Sequence, residues 1–257
     1  MPQAASTAVA LAAGLVLTLV TAVSAGAAPA SAPSGTPTQV VITGSLQSEL
    51  GCAGDWNPAC AATGLSYDAN DGVWQATFIV PVGTFAYIAA IDGSFAETYG
   101  LHGEPGGANI PLTLAAPAPV KFYYSDTSHW VTDSVNTRIA SVPGSFQSEI
   151  GCSSDWQPDC LRSWLQDVDG DGIARLTLRN LPAGAYDGMV TIAESWSESY
   201  GLGGVPGGAN IPVTVPYSDY QSDFSYDDTT HILTIVFSLF SDGFEGRGTG
   251  EWSLAVP

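Results

Sequence analysis

Apolar and polar positions alternate with a period of two along this chain, and the alternation occurs in two matching sets. In WQATFIV, Trp74, Ala76, Phe78 and Val80 share one face while Gln75 and Thr77 take the other. In the corresponding later stretch, Ala174, Leu176 and Leu178 alternate with Arg175, Thr177 and Arg179. FAYIAAI sets Phe85, Tyr87, Ala89 and Ile91 on one side, matched by Tyr186, Gly188, Val190 and Ile192. That period marks half-buried antiparallel strands. Asp71-Gly72, Asp171-Gly172, Pro81-x-Gly83 and Pro182-x-Gly184 supply the turns between them. No long amphipathic helix intervenes; QSEL and QSEI allow one helical turn each. Short strands joined by Gly and Pro turns predict an all-β chain: two tandem β-sandwiches of immunoglobulin-like or carbohydrate-binding-module-like form.

The duplication is explicit in the residues. GSLQSELGCAGDWNPAC (44–60) returns as GSFQSEIGCSSDWQPDC (144–160). FAETYGLHGEPGGANIP (95–111) returns as WSESYGLGGVPGGANIP (196–212), and FYYSDTSHWV (122–131) as FSYDDTTHIL (224–233). The offset drifts by one residue at each step, so two single-residue insertions separate the copies. Each copy has the length of a compact domain rather than of a solenoid repeat. The expected division is a first module over 39–135, a linker over 136–140, a second module over 141–240 and a tail over 241–257. Trp74 shares its face with Phe78 and aligns with Ala174, so it reads as core.

The ends read differently. The first 35 residues hold no Asp, Glu, Lys or Arg, and AVALAAGLVLTLVTAVSA is an apolar run ending in small residues. This predicts a secretory signal peptide over 1–27, with a retained membrane anchor as the alternative because the run approaches spanning length. A Pro/Ser/Ala linker, 28–38, follows. Export to the periplasm, cell surface or medium is expected, with no membrane contact once the signal is removed. The chain has 25 acidic and six basic residues, net −19. Such a surface repels phosphates, which argues against nucleic acid and anionic lipid and is compatible with a neutral ligand. In an exported chain, Cys52 with Cys60 and Cys152 with Cys160 read as one disulfide per copy. Each would close a short loop and contribute about 2–3 kcal/mol. Zinc is the alternative, but C-x7-C lacks the tight spacing and the His partners.

Several chemistries can be weighed. Glu49/Glu149 and Glu97/Glu198 recur in both copies, and paired carboxylates hydrolyse glycosides; a catalytic pair duplicated in tandem small sandwiches would be unusual, so no enzyme is expected. DVDGDG sets Asp167, Asp169 and Asp171 at the spacing that opens a calcium loop, yet Leu178 stands where that loop needs a bidentate Glu. A plain acidic turn is the simpler reading. His129 and His231 are equivalent and suggest a shared structural hydrogen bond. GGAN follows no strand–helix pattern, so no phosphate loop and no cofactor are expected. The remaining signal is aromatic. Trp56/Trp156, Phe95/Trp196 and Tyr99/Tyr200 recur beside Asp55/Asp155, Glu97/Glu198 and Asn109/Asn210. Flat rings with a few hydrogen-bonding groups suit sugars.

PGSFQSEIGCSSDWQPDC, SWSESYGLGGVPGGANIP and FYYSDTSHWVTD together resemble the accessory X-25-type β-sandwich modules of bacterial pullulanases and amylopullulanases. The resemblance spans both copies, about 39–240. It implies a secreted, non-catalytic module associated with starch- or pullulan-type α-glucans. The chain departs from the family at Ile88 and Met189, where relatives carry Lys, and at Phe95, where they favour Trp. Trp130 joins the candidate ring set, and HILTI in the second copy removes its counterpart. The rival to sugar binding is a structural or protein-interaction pair of sandwiches with no sugar affinity.

Overall fold

The computed structural model describes residues 36–218 and 220–238; the expected signal peptide and C-terminal tail lie outside them. The first module contains β1 (Val40–Gly44), β2 (Gly64–Asp68), β3 (Val73–Val80), β4 (Gly83–Ile91), β5 (Thr98–Tyr99), β6 (Ile110–Leu114), β7 (Ala118–Tyr124) and β8 (Val131–Asp133). Pairing is antiparallel throughout: β4 takes β1, β5 and β6, whereas β3 takes β2 and β7, and β8 closes on β7. A short β1–β2 pairing, Val40 to Leu65 and Val41 to Gly64, joins the two sets at one edge. The result is a sandwich with Ile42, Leu46, Tyr87, Leu112, Phe122 and Tyr124 in its core. Tyr87 meets the Phe122 ring edge-on at 5.1 Å, and its hydroxyl donates to buried Asp133 at 2.6 Å, so the one polar atom of this core ring is satisfied. Trp74 is buried against Tyr67, as its strand face predicts.

The second module repeats the plan with β9 (Ala140–Ser141), β10 (Trp164–Leu165), β11 (Ile173–Leu178), β12 (Gly184–Gly188), β13 (Val190–Ile192), β14 (Ser195–Tyr200), β15 (Ile211–Val215), β16 (Gln221–Asp227) and β17 (Leu233–Ser238). Here β12 and β13 together stand where the first module has the unbroken β4. Val142, Phe146, Val190, Val213 and Phe224 fill this core.

The expected linker, 136–140, is a packed segment. Asn136 donates to the Pro111 carbonyl and to Asp133, Ile139 is buried, and Ala140 already belongs to β9. The reason is an apolar junction. Val73, Tyr123 and Trp130 from the first module meet Ile139, Leu161 and Trp164 in one buried cluster. Trp130 and Trp164 pack with ring centroids 5.0 Å apart, and Tyr123 lies 5.6 Å from Trp164. Around them, Arg162 donates to the Asn70 and Ala69 carbonyls, the Leu161 amide donates to Asp71, and the His102 ring meets the Val168 carbonyl. Lys121 pairs with Glu194 at 2.6 Å, and the Tyr123 hydroxyl donates to the same carboxylate.

Glu194 reaches that position from a strained turn. Ile192 pairs with Ser195, so Ala193 and Glu194 alone turn the β13–β14 hairpin, with φ of 53° and 55°. Such turns favour Asn, Asp and Gly, because a Cβ in the left-handed region costs about 1–2 kcal/mol per residue. The first module has Asp92-Gly93 at this place.

Candidate functional site

The disulfide-bounded loop is organised in both modules by a buried glutamine. Gln47 accepts from the Asn57 amide at 2.7 Å and donates to the Asn57 carbonyl and the Thr63 hydroxyl, each at 2.9 Å. Gln147 does the same with Gln157 and Ser163. One amide thus closes the loop much as a ladder pair would. Asp55 and Asp155 add a second brace by accepting from the Ser48 and Ser148 amides. Cys52–Cys60 and Cys152–Cys160 are bonded, both with Cα atoms 6.0 Å apart. Gly44 and Gly144 are required here: a Cβ would come within 2.2 Å of the Ala86 carbonyl oxygen and 2.5 Å of that of Asp187.

At the apex, Trp56 and Trp156 are held in the left-handed region, with φ of 54° and 62°. Their amides donate to the Gly44 and Gly144 carbonyls at 3.2 Å, which fixes the conformation. A bulky residue there costs of order 1–3 kcal/mol, and such strain gathers at sites where a side chain must be presented. The rings are presented: Trp56 is 37 % exposed and Trp156 half-buried. Phe95 and Trp196 are exposed as well, at 52 % and 44 %. In the second module Trp156 and Trp196 form a pair, centroids 6.4 Å apart and planes 34° apart.

The other predicted rings fall elsewhere. Tyr99 and Tyr200 are buried, stacked on His129 at 4.2 Å and His231 at 3.9 Å, so they brace the fold and do not face a ligand. The same histidines bond the Tyr124 and Tyr226 hydroxyls, the shared structural role their equivalence predicts. Trp130 is likewise withdrawn from the ligand set, because Trp164 covers it. Glu97 and Glu198 accept from the Tyr99 and Tyr200 hydroxyls at 2.8 and 2.7 Å. Those carboxylates, with burial, push both hydroxyls up; burial dominates for Tyr99 and the Glu198 hydrogen bond for Tyr200. Asn109 and Asn210 are exposed.

Glu49 and Glu149 sit exposed on turns, each accepting from the preceding serine hydroxyl. Asp167, Asp169 and Asp171 do converge, their oxygens within 4.8 Å of one another. Arg175 supplies the positive charge, meeting Asp169 at 3.3 Å and Asp171 at 2.6 Å, while Asp167 accepts from the Asp171 and Gly172 amides. The Arg175 hydrogen bond holds the Asp171 carboxyl below its ordinary range. The arrangement is an acidic turn with its own counter-ion.

Sequence reasoning missed Arg138. From the segment between the modules it reaches Glu198 with one guanidinium nitrogen and Asp228, at 2.7 Å, with the other. Its only signal was negative: it lay in a presumed linker.

Paired β-sandwiches, each stapled by one disulfide and presenting a tryptophan on a glutamine-braced loop, define a tandem β-sandwich protein. The Pullulanase X25 domain model matches residues 39–131 and 139–233. This chain belongs to that family. It is 32 % identical over 200 residues to an amylopullulanase of Thermoanaerobacter thermohydrosulfuricus, covering 74 % of this chain and 13 % of that protein. With an amylopullulanase of Thermoanaerobacterium saccharolyticum the identity is 30 % over 214 residues, 80 % of this chain and 16 % of the other. The chain therefore spans only a small part of the length of these relatives. A structural match to a pullulanase from Bacillus acidopullulyticus covers 78 % of this chain and 28 % of that one, with TM-score 0.35 and 16 % identity.

Proposed function

We propose that this chain is an exported, non-catalytic protein that binds α-glucan of the starch or pullulan type through the exposed rings of its disulfide-bounded loops. The observation that carries the reading is the Trp156–Trp196 pair, two large rings kept partly in water, Trp156 at a strained loop apex and Trp196 on β14. Sugar C–H faces pack on such rings, while neighbouring carboxylate and amide groups meet the hydroxyls. Relatives named amylopullulanase support the glucan class. A charge-free apolar leader and two disulfides support export.

Affinity electrophoresis through soluble amylopectin tests the reading. The intact protein is expected to be retarded, and Trp56→Ala with Trp156→Ala to restore most of its mobility. Unretarded migration of the intact protein would leave a structural or interaction module as the answer. Release of reducing ends from amylopectin by the purified chain would overturn the non-catalytic part.

A further inference from the structure

We propose that the first module orders the disulfide-bounded loop of the second, so that Trp156 is presented on a loop braced from across the junction. Arg162 and Asn70 are the positioning residues. The consequence for sugar affinity rests on the glucan reading above; the ordering of the loop does not.

The β2–β3 turn of the first module meets this loop at both ends. At its start, the Ser153 amide donates to the Asn70 side-chain oxygen at 2.8 Å. At its end, the Leu161 amide donates to Asp71 at 3.3 Å, and Arg162 donates to the Asn70 and Ala69 carbonyls at 3.0 and 2.8 Å. The Cys160 sulfur lies 3.3 Å from that same Asn70 carbonyl oxygen. Arg162 also links the two ends of the loop to each other. A Cβ on Gly151 would stand 3.1 Å from its Nε, and one on Gly72 of the first module 3.5 Å from a guanidinium nitrogen, so the side chain runs close to both glycine backbones.

The first loop has the same disulfide, the same glutamine brace and the same left-handed tryptophan, without this outside support. Ala53, Ala61 and Ala62 stand at the places of Ser153, Leu161 and Arg162, and among the described residues none of them bonds to the second module. The two copies thus form an internal comparison: one apex is held by its own module alone, the other is tied to a neighbour as well. Fixing both ends of a short loop limits the fluctuations of its apex, and a ring already held loses less freedom when a sugar settles on it. Trp156 is the apex residue, and it is the ring that meets Trp196.

The test uses the full chain, labelled with nitrogen-15, and reads native-state amide exchange first, without sugar. The Trp156 and Gln157 amides, bonded to Gly144 and Gln147, should exchange more slowly than those of Trp56 and Asn57, which make the same bonds to Gly44 and Gln47. Arg162→Ala gives the second copy the residue of the first; it should raise the Trp156 and Gln157 rates about tenfold and leave the first loop unaltered. Asn70→Ala removes the acceptor of the Ser153 amide from the other side of the junction and should raise the same rates about threefold. Titration with maltoheptaose then follows the indole N–H signals of Trp56 and Trp156, each assigned by its Trp→Phe variant. In Arg162→Ala the Trp156 midpoint should rise about threefold while the Trp56 midpoint stays in place. Equal protection of the two loops in the unaltered protein, or second-loop rates unmoved by either substitution, would overturn the ordering. Faster exchange with an unmoved Trp156 midpoint would overturn the positioning role in binding. If no indole signal of the unaltered protein moves, the glucan reading falls and the affinity consequence with it, and the exchange rates alone decide whether the first module orders the loop.

Discussion

Replacing Trp164 by alanine should separate the two modules energetically. Trp164 is 2 % exposed and packs between Trp130 and Tyr123. Truncating a fully buried Trp to Ala costs about 3–5 kcal/mol through lost transfer energy and the cavity left behind. One feature works against this. The Trp164 indole N–H is buried with no acceptor, so the substitution also removes an unpaired donor whose burial costs about 1–3 kcal/mol. The cavity opens at a junction rather than inside one sandwich, where the walls can close more readily. The expected net loss is therefore at the low end, about 2–3 kcal/mol. Because that energy belongs to the junction, the intact protein should melt in one calorimetric transition and Trp164→Ala in two. Near-ultraviolet circular dichroism of the three junction aromatics should flatten in parallel. A loss below about 1 kcal/mol with one unshifted transition would refute the view that this cluster couples the modules.

Two further outcomes follow from buried polar groups. Gln147→Leu keeps the volume but strands the Gln157 amide and carbonyl, so urea unfolding should show a loss of about 2–5 kcal/mol with the disulfide intact; a loss below about 1 kcal/mol would mean the loop holds itself. Asp71, buried at the junction, has its carboxyl pushed up chiefly by desolvation, against opposing hydrogen bonds from Gln75 and the Leu161 amide. Its folded value lies above its unfolded one, so its contribution to stability is complete below about pH 3.9 and declines as pH rises through the folded value. Asp71→Asn should remove that part of the decline as pH rises above about 4, seen as a shallower dependence of the urea midpoint than in the unaltered protein; parallel curves would show that the carboxyl does not titrate against the fold.

The features legible before the structure were those with a local cause. The period of two in WQATFIV and FAYIAAI depends only on which face meets the core, and both stretches became strands. The C-x7-C pairs needed only proximity along the chain. What escaped was set by distant surfaces. Trp130 carries the same exposed-aromatic signal as Trp56, and only Trp164 from the other module decides that it is covered. Tyr99 and Tyr200 looked like ligand rings because Glu97 and Glu198 lie near them, yet those carboxylates serve the tyrosine hydroxyls. Gln47 and Gln147 open QSEL and QSEI, which read only as single helical turns; their burial follows from loop closure, which leaves no periodic trace. The copies also differ where they meet: Gly64 aligns with Trp164, Tyr123 with Ser225 and Trp130 with Ile232. A mismatch that reads as decay of a repeat was the record of an interface.

The Ala193–Glu194 turn gives that interface a direction. Taken alone, the second module carries two left-handed residues that no side chain of its own compensates; Lys121 and Tyr123, which hold Glu194 in place, belong to the first. The first module turns the same corner with Asp92-Gly93 and asks nothing of its neighbour there. The dependence at this corner therefore runs one way: Lys121 and Tyr123 of the first copy serve a carboxylate of the second, and the corresponding corner of the first copy takes no side chain from the second.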